Sequence, residues 1–379
     1  MHTGILEQAK EIRKVVLEPN AARWEKEQRQ PADDLRAVIA NGFAGLDLGP
    51  DYGGLGISFT DKLAVCEELA KGCFAFTFSL INTGNIAAKM AASQSTMHRQ
   101  HIPSLLSGDV FGATALTEPE AGSDFAAIRT LATETQGGWL LNGSKAWITN
   151  AEIADLFVTY VQTDPAKGWK GIACFLVDAR KEGFRRGEIY DIVGGRAIGA
   201  GEFHLQDYFV SEDDLLAPPI AAFKDCMELI NAARTYVAAM CCGIMQSSLE
   251  CALSYGVGRK SFGRPLIDHQ GLRWSLVDVA TDIEALRALT LRAGDAIERG
   301  EDACFPAAYA KKFAGRVAVP AITACIQAMG ANGLKQQFPL GRHLASAKIA
   351  AFTDGSTEMM NERIGAGLVS GVAPIPGLQ

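Results

Sequence analysis

Between Gly112 and about Leu216 the chain changes its hydrophobic rhythm, and that change limits the fold more than any other feature of its 379 residues. On either side, apolar residues recur at three- and four-residue steps, the spacing of helices with one buried face. Inside the segment they gather into short β-branched and aromatic runs at residues 139–141, 156–162, 172–177 and 201–210, broken by Gly, Pro, Asn and Asp. Those runs predict strands. No helical stretch separates them, so a doubly wound parallel sheet does not fit. Gly194-Gly195-Arg196-Ala197-Ile198-Gly199 likewise lacks the strand-to-helix setting of a dinucleotide-binding turn.

From about Ile5 to Leu106 the pattern is helical, clearest over residues 32–41 and 59–71. Pro50-Asp51-Tyr52-Gly53-Gly54-Leu55-Gly56 supplies positions tolerant of positive φ and marks a tight loop between helices. After Pro218-Pro219, long amphipathic segments near residues 224–255, 269–299, 305–329 and 339–352 follow one another with few turns, the pattern of an up-and-down bundle. The expected fold class is α+β in three domains. These are an N-terminal helical domain over residues 1–111, a central antiparallel β domain over 112–217 and a C-terminal four-helix bundle over 218–379.

With 48% hydrophobic and 21% charged residues, the chain has ample material for buried cores. A net charge of −7, a pI near 5.5 and the lack of any Lys/Arg block argue against nucleic acid as a partner, because that contact needs a basic patch. The nine cysteines form no C-x-x-C and have no histidine at zinc spacing, so they read as buried small hydrophobes and no metal is expected. The N-terminus enters a charged amphipathic pattern rather than a secretory leader, and no apolar run approaches membrane-spanning length. A cytoplasmic protein, with no membrane partner, is the expectation.

Two segments carry the first functional reading. Ala115-Leu116-Thr117-Glu118-Pro119-Glu120-Ala121-Gly122-Ser123-Asp124 joins small, hydroxyl and turn-forming residues as a ligand-hugging loop would, and Lys145-Ala146-Trp147-Ile148-Thr149-Asn150 follows it. Together they resemble the flavin-contacting segments of the acyl-CoA dehydrogenase family. An isoalloxazine ring needs hydrogen-bond donors along its polar edge and a flat apolar surface at its face, and Thr117, Trp147 and Thr149 are suitable types. The resemblance implies that Leu116 and Thr117 meet the pyrimidine side of FAD, that Trp147 packs beside the ring and that Thr149 reaches near N5. Ser123 would lie by the pyrophosphate and the substrate.

Further matches run to the C-terminus. Arg259, Phe262 and Gln270 stand in a loop that, in the family, grips the FAD of a neighbouring subunit, which implies a homotetramer or homodimer. Gln327, Gly330 and Ala331 match the family's adenosine contacts, although two glycines would also simply cap a helix. Asn231-Ala232-Ala233-Arg234 resembles an Asp-x-x-Arg element that helps hold CoA, with Asn in place of the acid.

Phe352-Thr353-Asp354-Gly355-Ser356-Thr357-Glu358 resembles the family's Tyr-Glu-Gly-Thr-Ser-Glu stretch, and Asp354 falls on the glutamate that removes the substrate α-proton. By the same match Gly355 would contact substrate, and Ser356 and Glu358 the cofactor. Position 233, where some members carry the base instead, is Ala, which leaves Asp354 as the matched carboxylate. Asp354 sits one methylene nearer the backbone than Glu would, and Asp-Gly-Ser-Thr-Glu is also a good helix start, so capping competes with catalysis as its role.

The activity implied is FAD-dependent dehydrogenation of an acyl thioester on CoA or an acyl carrier protein, with electrons passed to an electron-transferring flavoprotein or similar acceptor. Two alternatives stand beside it. One is a flavin oxidase resembling nitroalkane oxidase, where Asp replaces Glu but is paired with an Arg seven residues on; position 361 here is Asn. The other is a flavin-bound relative that acts by binding alone.

Overall fold

The computed structural model describes residues 3–373. The helical N-terminal region comprises α1 (Thr3–Ile12), α2 (Glu18–Glu27), α3 (Ala32–Val38), α4 (Phe59–Ala70) and α5 (Phe74–Ala92), followed by the short α6 (Thr96–Arg99) and α7 (Ile102–Ser107). Ser58 caps α4 by accepting the Asp61 amide at 3.0 Å, which is why that helix starts where its sequence pattern does. α5 is buried along most of its length and lies between the sheet and the C-terminal helices.

The strands are β1 (Gly112–Ala115), β2 (Leu131–Thr135), β3 (Gly138–Ile148), β4 (Leu156–Gln162), β5 (Ile172–Asp178), β6 (Phe184–Ile189), β7 (Gly201–Ser211) and β8 (Leu215–Ala217). Among the described residues they form one eight-stranded sheet in the order β6-β7-β3-β2-β4-β5-β8, with β1 added beside β4. The sheet is mostly antiparallel, as expected; the parallel contacts are those of β1 with β4, Gly112 opposite Leu156, and of β2 with β4. Four strands escaped the sequence pattern for physical reasons. β1 is built from Gly, Ala and Thr, β2 and β8 are short, and β6 carries charges suited to its place at the edge of the sheet.

β4 is buried on both faces. Its odd members, Phe157 and Val161, join Phe175 and Phe203 in the large core. Its even members, Val158 and Tyr160, join Cys174, Leu176 and Cys226 in a second cluster against the start of the C-terminal helices. The period of two therefore sends one face of the strand toward each neighbouring layer.

α8 (Ala221–Gly258), α9 (Gln270–Glu298), α10 (Cys304–Met329) and α11 (Leu340–Phe352) form the bundle, and α12 (Thr357–Ser370), whose start the Asp-Gly-Ser-Thr-Glu run signals, packs on α10. Between α8 and α9 lies a two-stranded hairpin, β9 (Lys260–Ser261) and β10 (Arg264–Pro265). α4 is drawn into this bundle: a Cβ on Gly243 would sit 2.1 Å from the Glu67 carbonyl oxygen, so only glycine lets α8 approach so closely. Across the same junction Arg287 of α9 pairs with Glu67 at 2.7 Å.

α8, and the stretch from Cys304 to Leu334 that contains α10, are long and apolar enough to cross a bilayer by length and composition. Both instead pack against neighbouring helices of the bundle.

Candidate active site

The sheet side of the site is set by a break in β3. Pairing with β7 shifts register between Lys145 and Ile148, and within that bulge Trp147 adopts φ +58° with 62% of its surface exposed. A bulge re-aims the side chain it contains. The indole lies against Tyr190, ring centroids 4.4 Å apart, and Tyr190 in turn donates to Glu202.

Beside it, Lys145 points the other way and is fully buried. Its Nζ donates to the Leu116 carbonyl at 3.0 Å and to Glu118 Oε1 at 2.8 Å, and the Ala146 amide donates to the Thr117 carbonyl at 3.0 Å. Glu118 also accepts the Arg129 and Thr130 amides. Burial pushes the Glu118 carboxyl up, but the Lys145 charge and these donors outweigh it and hold it below its usual range. The two sequence segments are thus welded together, while the hydroxyls of Thr117 and Thr149 make no hydrogen bond among the described residues.

Asn150 ends the same turn at φ +64° and is fully buried. Its Oδ1 accepts Gln30 Nε2 at 2.6 Å and the Ser79 hydroxyl, and its Nδ2 donates to the carbonyls of Ser79 and Gly112. Both ends of its amide are spent on α5, the connection between α2 and α3, and β1, which fixes the turn that presents Thr149. Ser123 is exposed on its loop. Two residues later Phe125 stacks on Phe223 of α8 at 5.6 Å, tying that loop to the bundle.

On the helical side, Asp354 and Gly355 both take positive φ, +53° and +97°. Arg234 Nε donates to the Asp354 carbonyl at 3.0 Å, its Nη1 donates to Asn231 Oδ1 at 3.0 Å, and Lys311 Nζ donates to the Gly355 carbonyl at 3.3 Å. Two buried cations therefore hold two successive carbonyls. Asn231 and Arg234, expected at the CoA portion of a substrate, spend these bonds on each other and on the Asp354 loop.

The carboxylate itself is left unspent. Asp354 Oδ2 is sealed from solvent and has no hydrogen-bond partner, and the Asp354 amide also makes no bond among the described residues. Burial pushes its carboxyl up to about 6, against the lowering pull of Lys311 and then Arg234. Burial likewise brings Lys311 down to about 8, with Asp354 opposing. Capping is not the role of Asp354: Ser356 is the N-cap of α12, its hydroxyl accepting the Met359 amide at 3.4 Å. Glu358 is exposed in the first turn of α12.

Lys311 was missed in the sequence, yet a trace of it was there. It follows Ala307 by four residues and precedes Ala314 by three and Ala318 by seven, on the face of α10 that those alanines bury. A lysine on such a stripe needs a partner. Asn361 hydrogen-bonds Lys312 on the exposed side of α10, so no guanidinium from that position meets Asp354.

The remaining candidates gather at the far end of the bundle. Arg259, Phe262 and Gln270 are exposed around the β9–β10 hairpin, Phe262 to 94% and at φ +50°, and Gln327, Gly330 and Ala331 are exposed at the end of α10. Asn332 donates to Tyr255 at 2.7 Å and brings the two groups to the same end. Among the described residues no hydrogen bond, ion pair or ring contact joins them to Thr117, Trp147 or Thr149.

A helical–sheet–helical chain with an unspent carboxylate on a helical-side loop and a rigid hydroxyl-bearing turn on the sheet side carries the parts of an acid–base centre in a three-domain enzyme. Residues 2–109, 113–208 and 223–369 match the N-terminal, middle and C-terminal domains of acyl-CoA dehydrogenase. An acyl-CoA dehydrogenase of Bacillus subtilis is 32% identical, over 93% of this chain and 94% of its own length. Butyryl-CoA dehydrogenase of Megasphaera elsdenii superposes with a TM-score of 0.92 at 29% identity, covering 96% of this chain and 97% of that one. PigA, solved with FAD and proline, superposes with a TM-score of 0.90 at 26% identity, covering 98% of both chains. The chain belongs to the acyl-CoA dehydrogenase family, oxidoreductases that act on CH–CH bonds with FAD.

Proposed function

We propose that the protein is an FAD-dependent acyl thioester dehydrogenase that introduces an α,β-double bond, with Asp354 as the base. One observation carries this reading: a sealed carboxylate oxygen with no partner, on a loop whose carbonyls are held by Arg234 and Lys311. A structural carboxylate so buried would be expected to find a donor, because an unpaired polar atom costs about 1–3 kcal/mol.

The residues fit FAD. The free hydroxyls of Thr117 and Thr149 suit the polar edge of a flavin and the open Trp147 indole suits its face; Leu116, Ser123, Ser356 and Glu358 complete the contacts on this side. When bound, FAD supplies the acceptor for the β-hydride. Asp354 takes the α-proton, and its unengaged amide is a donor for the oxygen of the developing enolate. Gly355 lines the substrate with Ser123, and Arg234 and Asn231 act on it through the loop they hold. Arg259, Phe262, Gln270, Gln327, Gly330 and Ala331 serve the cofactor of a second copy, which makes a homotetramer or homodimer the working form. The bare Phe262, Trp274 and Val277 surfaces support that assembly. Electrons leave to an electron-transferring flavoprotein or similar acceptor, and the site is cytoplasmic.

Anaerobic mixing with acyl-CoA and acyl-carrier-protein thioesters should bleach the flavin, and a yellow protein that no thioester bleaches would remove this reading. The pH dependence follows from the base. Asp354 must be ionised, so kcat/KM for flavin reduction should fall roughly tenfold per pH unit below about 6 and level off above it. Lys311→Met deletes the larger of the two charges that favour the ionised form and should move this midpoint upward. An unmoved midpoint would disconnect Lys311 from the base.

A further inference from the structure

Arg234 of α8 is only 7% exposed, and among the described residues no carboxylate lies within ion-pair distance of its guanidinium. A buried arginine ordinarily meets an acid, because an unpaired charge away from water is costly. Here it meets an amide. One turn earlier on the same helix, Asn231 accepts Nη1 through Oδ1 at 3.0 Å, and only the oxygen of an amide can accept from a guanidinium N–H. Nε meanwhile donates to the Asp354 carbonyl at 3.0 Å. The guanidinium is thus held in place against the reactive loop, but its charge is not cancelled.

We propose that Asn231 is a positioning residue for the base: it orients Arg234 through a neutral oxygen, so that the guanidinium charge is left to the Asp354 loop. The inference rests on the reading of Asp354 as the base and adds a residue that acts on it through another. Aspartate at position 231 has almost the same shape and would accept the same bond, yet it would neutralise Arg234 and set a second negative charge behind the loop. Asparagine keeps the grip and spares the charge. Burial pushes the Asp354 carboxyl up, while Lys311 of α10 and then Arg234 pull it back. The coupling runs both ways, since Asp354 is the first charge to oppose the lowering of Arg234 by burial. Other groups around this pair do not compete. Burial pushes the Tyr236 phenol and the Cys226 thiol of α8 up, so both stay neutral while Asp354 titrates. Arg363 of α12, which donates to Cys304 of α10, is exposed and screened by solvent.

The test reads the titration of Asp354 without substrate, from denaturant unfolding of the FAD-loaded protein and of its Asp354→Asn variant between about pH 4 and 8. The Asp354 carboxyl lies higher in the folded chain, at about 6, than its ordinary 3.8. The stability it adds relative to the variant is therefore full below 3.8 and is lost as pH rises through about 6. With Asn231→Asp in both proteins, that loss should end about one pH unit higher. The midpoint of flavin reduction should rise with it, slowing reduction a further roughly tenfold on the acid side at unchanged flavin content. Asn231→Leu removes the acceptor but adds no charge, so it should leave the midpoint in place and slow reduction evenly at every pH. An asparagine with a merely structural role predicts one pH profile for both substitutions. A window unmoved by Asn231→Asp, or moved equally by Asn231→Leu, overturns the proposal. Where Asn231→Asp does not fold, Arg234→Gln takes its place: loss of the guanidinium charge should raise the midpoint, and an unmoved one overturns the proposal as well. Flavin bleaching separates the two readings. A shifted window in a protein that no thioester bleaches sinks the dehydrogenase reading alone, and bleaching with an unshifted window sinks this inference alone.

Discussion

Asp354→Asn retains its flavin but loses substrate-driven flavin reduction by about 10²- to 10⁴-fold, the range expected when a positioned base is removed. The substitution is nearly isosteric and leaves intact the backbone carbonyl that Arg234 holds and the Gly355 carbonyl that Lys311 holds, so the loop should keep its shape. What disappears is the one group that can take a proton there. Stopped-flow absorbance under anaerobic conditions measures this directly, and the same rate in the variant as in the parent protein would take Asp354 out of the chemistry. The left-handed conformations of Asp354 and Gly355 add a control. A Cβ on Gly355 would meet Met360 Cε at 3.0 Å and Arg234 Nη2 at 3.2 Å, so Gly355→Ala should disturb the loop with the carboxylate still present.

The second large effect is on stability. Glu118→Gln leaves the Lys145 ammonium, which has no solvent contact, without its counter-charge. Removing one member of a buried ion pair costs about 3–5 kcal/mol, because the other charge stays uncompensated or must give up its proton. The loss should appear in denaturant unfolding and be matched by weakened flavin retention, since the same lysine pins the Leu116 carbonyl beside Thr117. A change below about 1 kcal/mol would mean that the pair contributes shape and not charge to the turn.

The three-layer order was legible because it rests on periodicity. The long helices bury one stripe, and β4 and β5 are bounded by Gly, Asp and Pro close to where their pairing ends. Asp354 was legible through its neighbours in sequence. Its setting was not, because the cations that hold it come from α8 and α10, over 40 residues away in either case, and a buried cation on a helix stripe does not say which loop it meets. The grip of Arg234 on the Asp354 loop was hidden for the same reason: an Asn-x-x-Arg spacing says that the two share a helix face, but not which loop that face meets. The bulge at Trp147 was equally hidden, since a register shift depends on the partner strand β7 and not on the residues that bulge. Ser356 as the cap of α12 could have been read, as Ser two residues before Glu358 is an ordinary start; the neighbouring Asp354 obscured it.

Asn150 makes the turn that presents Thr149 depend on residues that precede it by up to 120 positions, through Gln30, Ser79 and the Gly112 carbonyl. A chain whose first hundred residues have not yet docked therefore has strands but no finished berth for its pigment. Acquisition of colour should then double as a readout of that docking, with a newly made polypeptide pale until its first part has settled on the sheet.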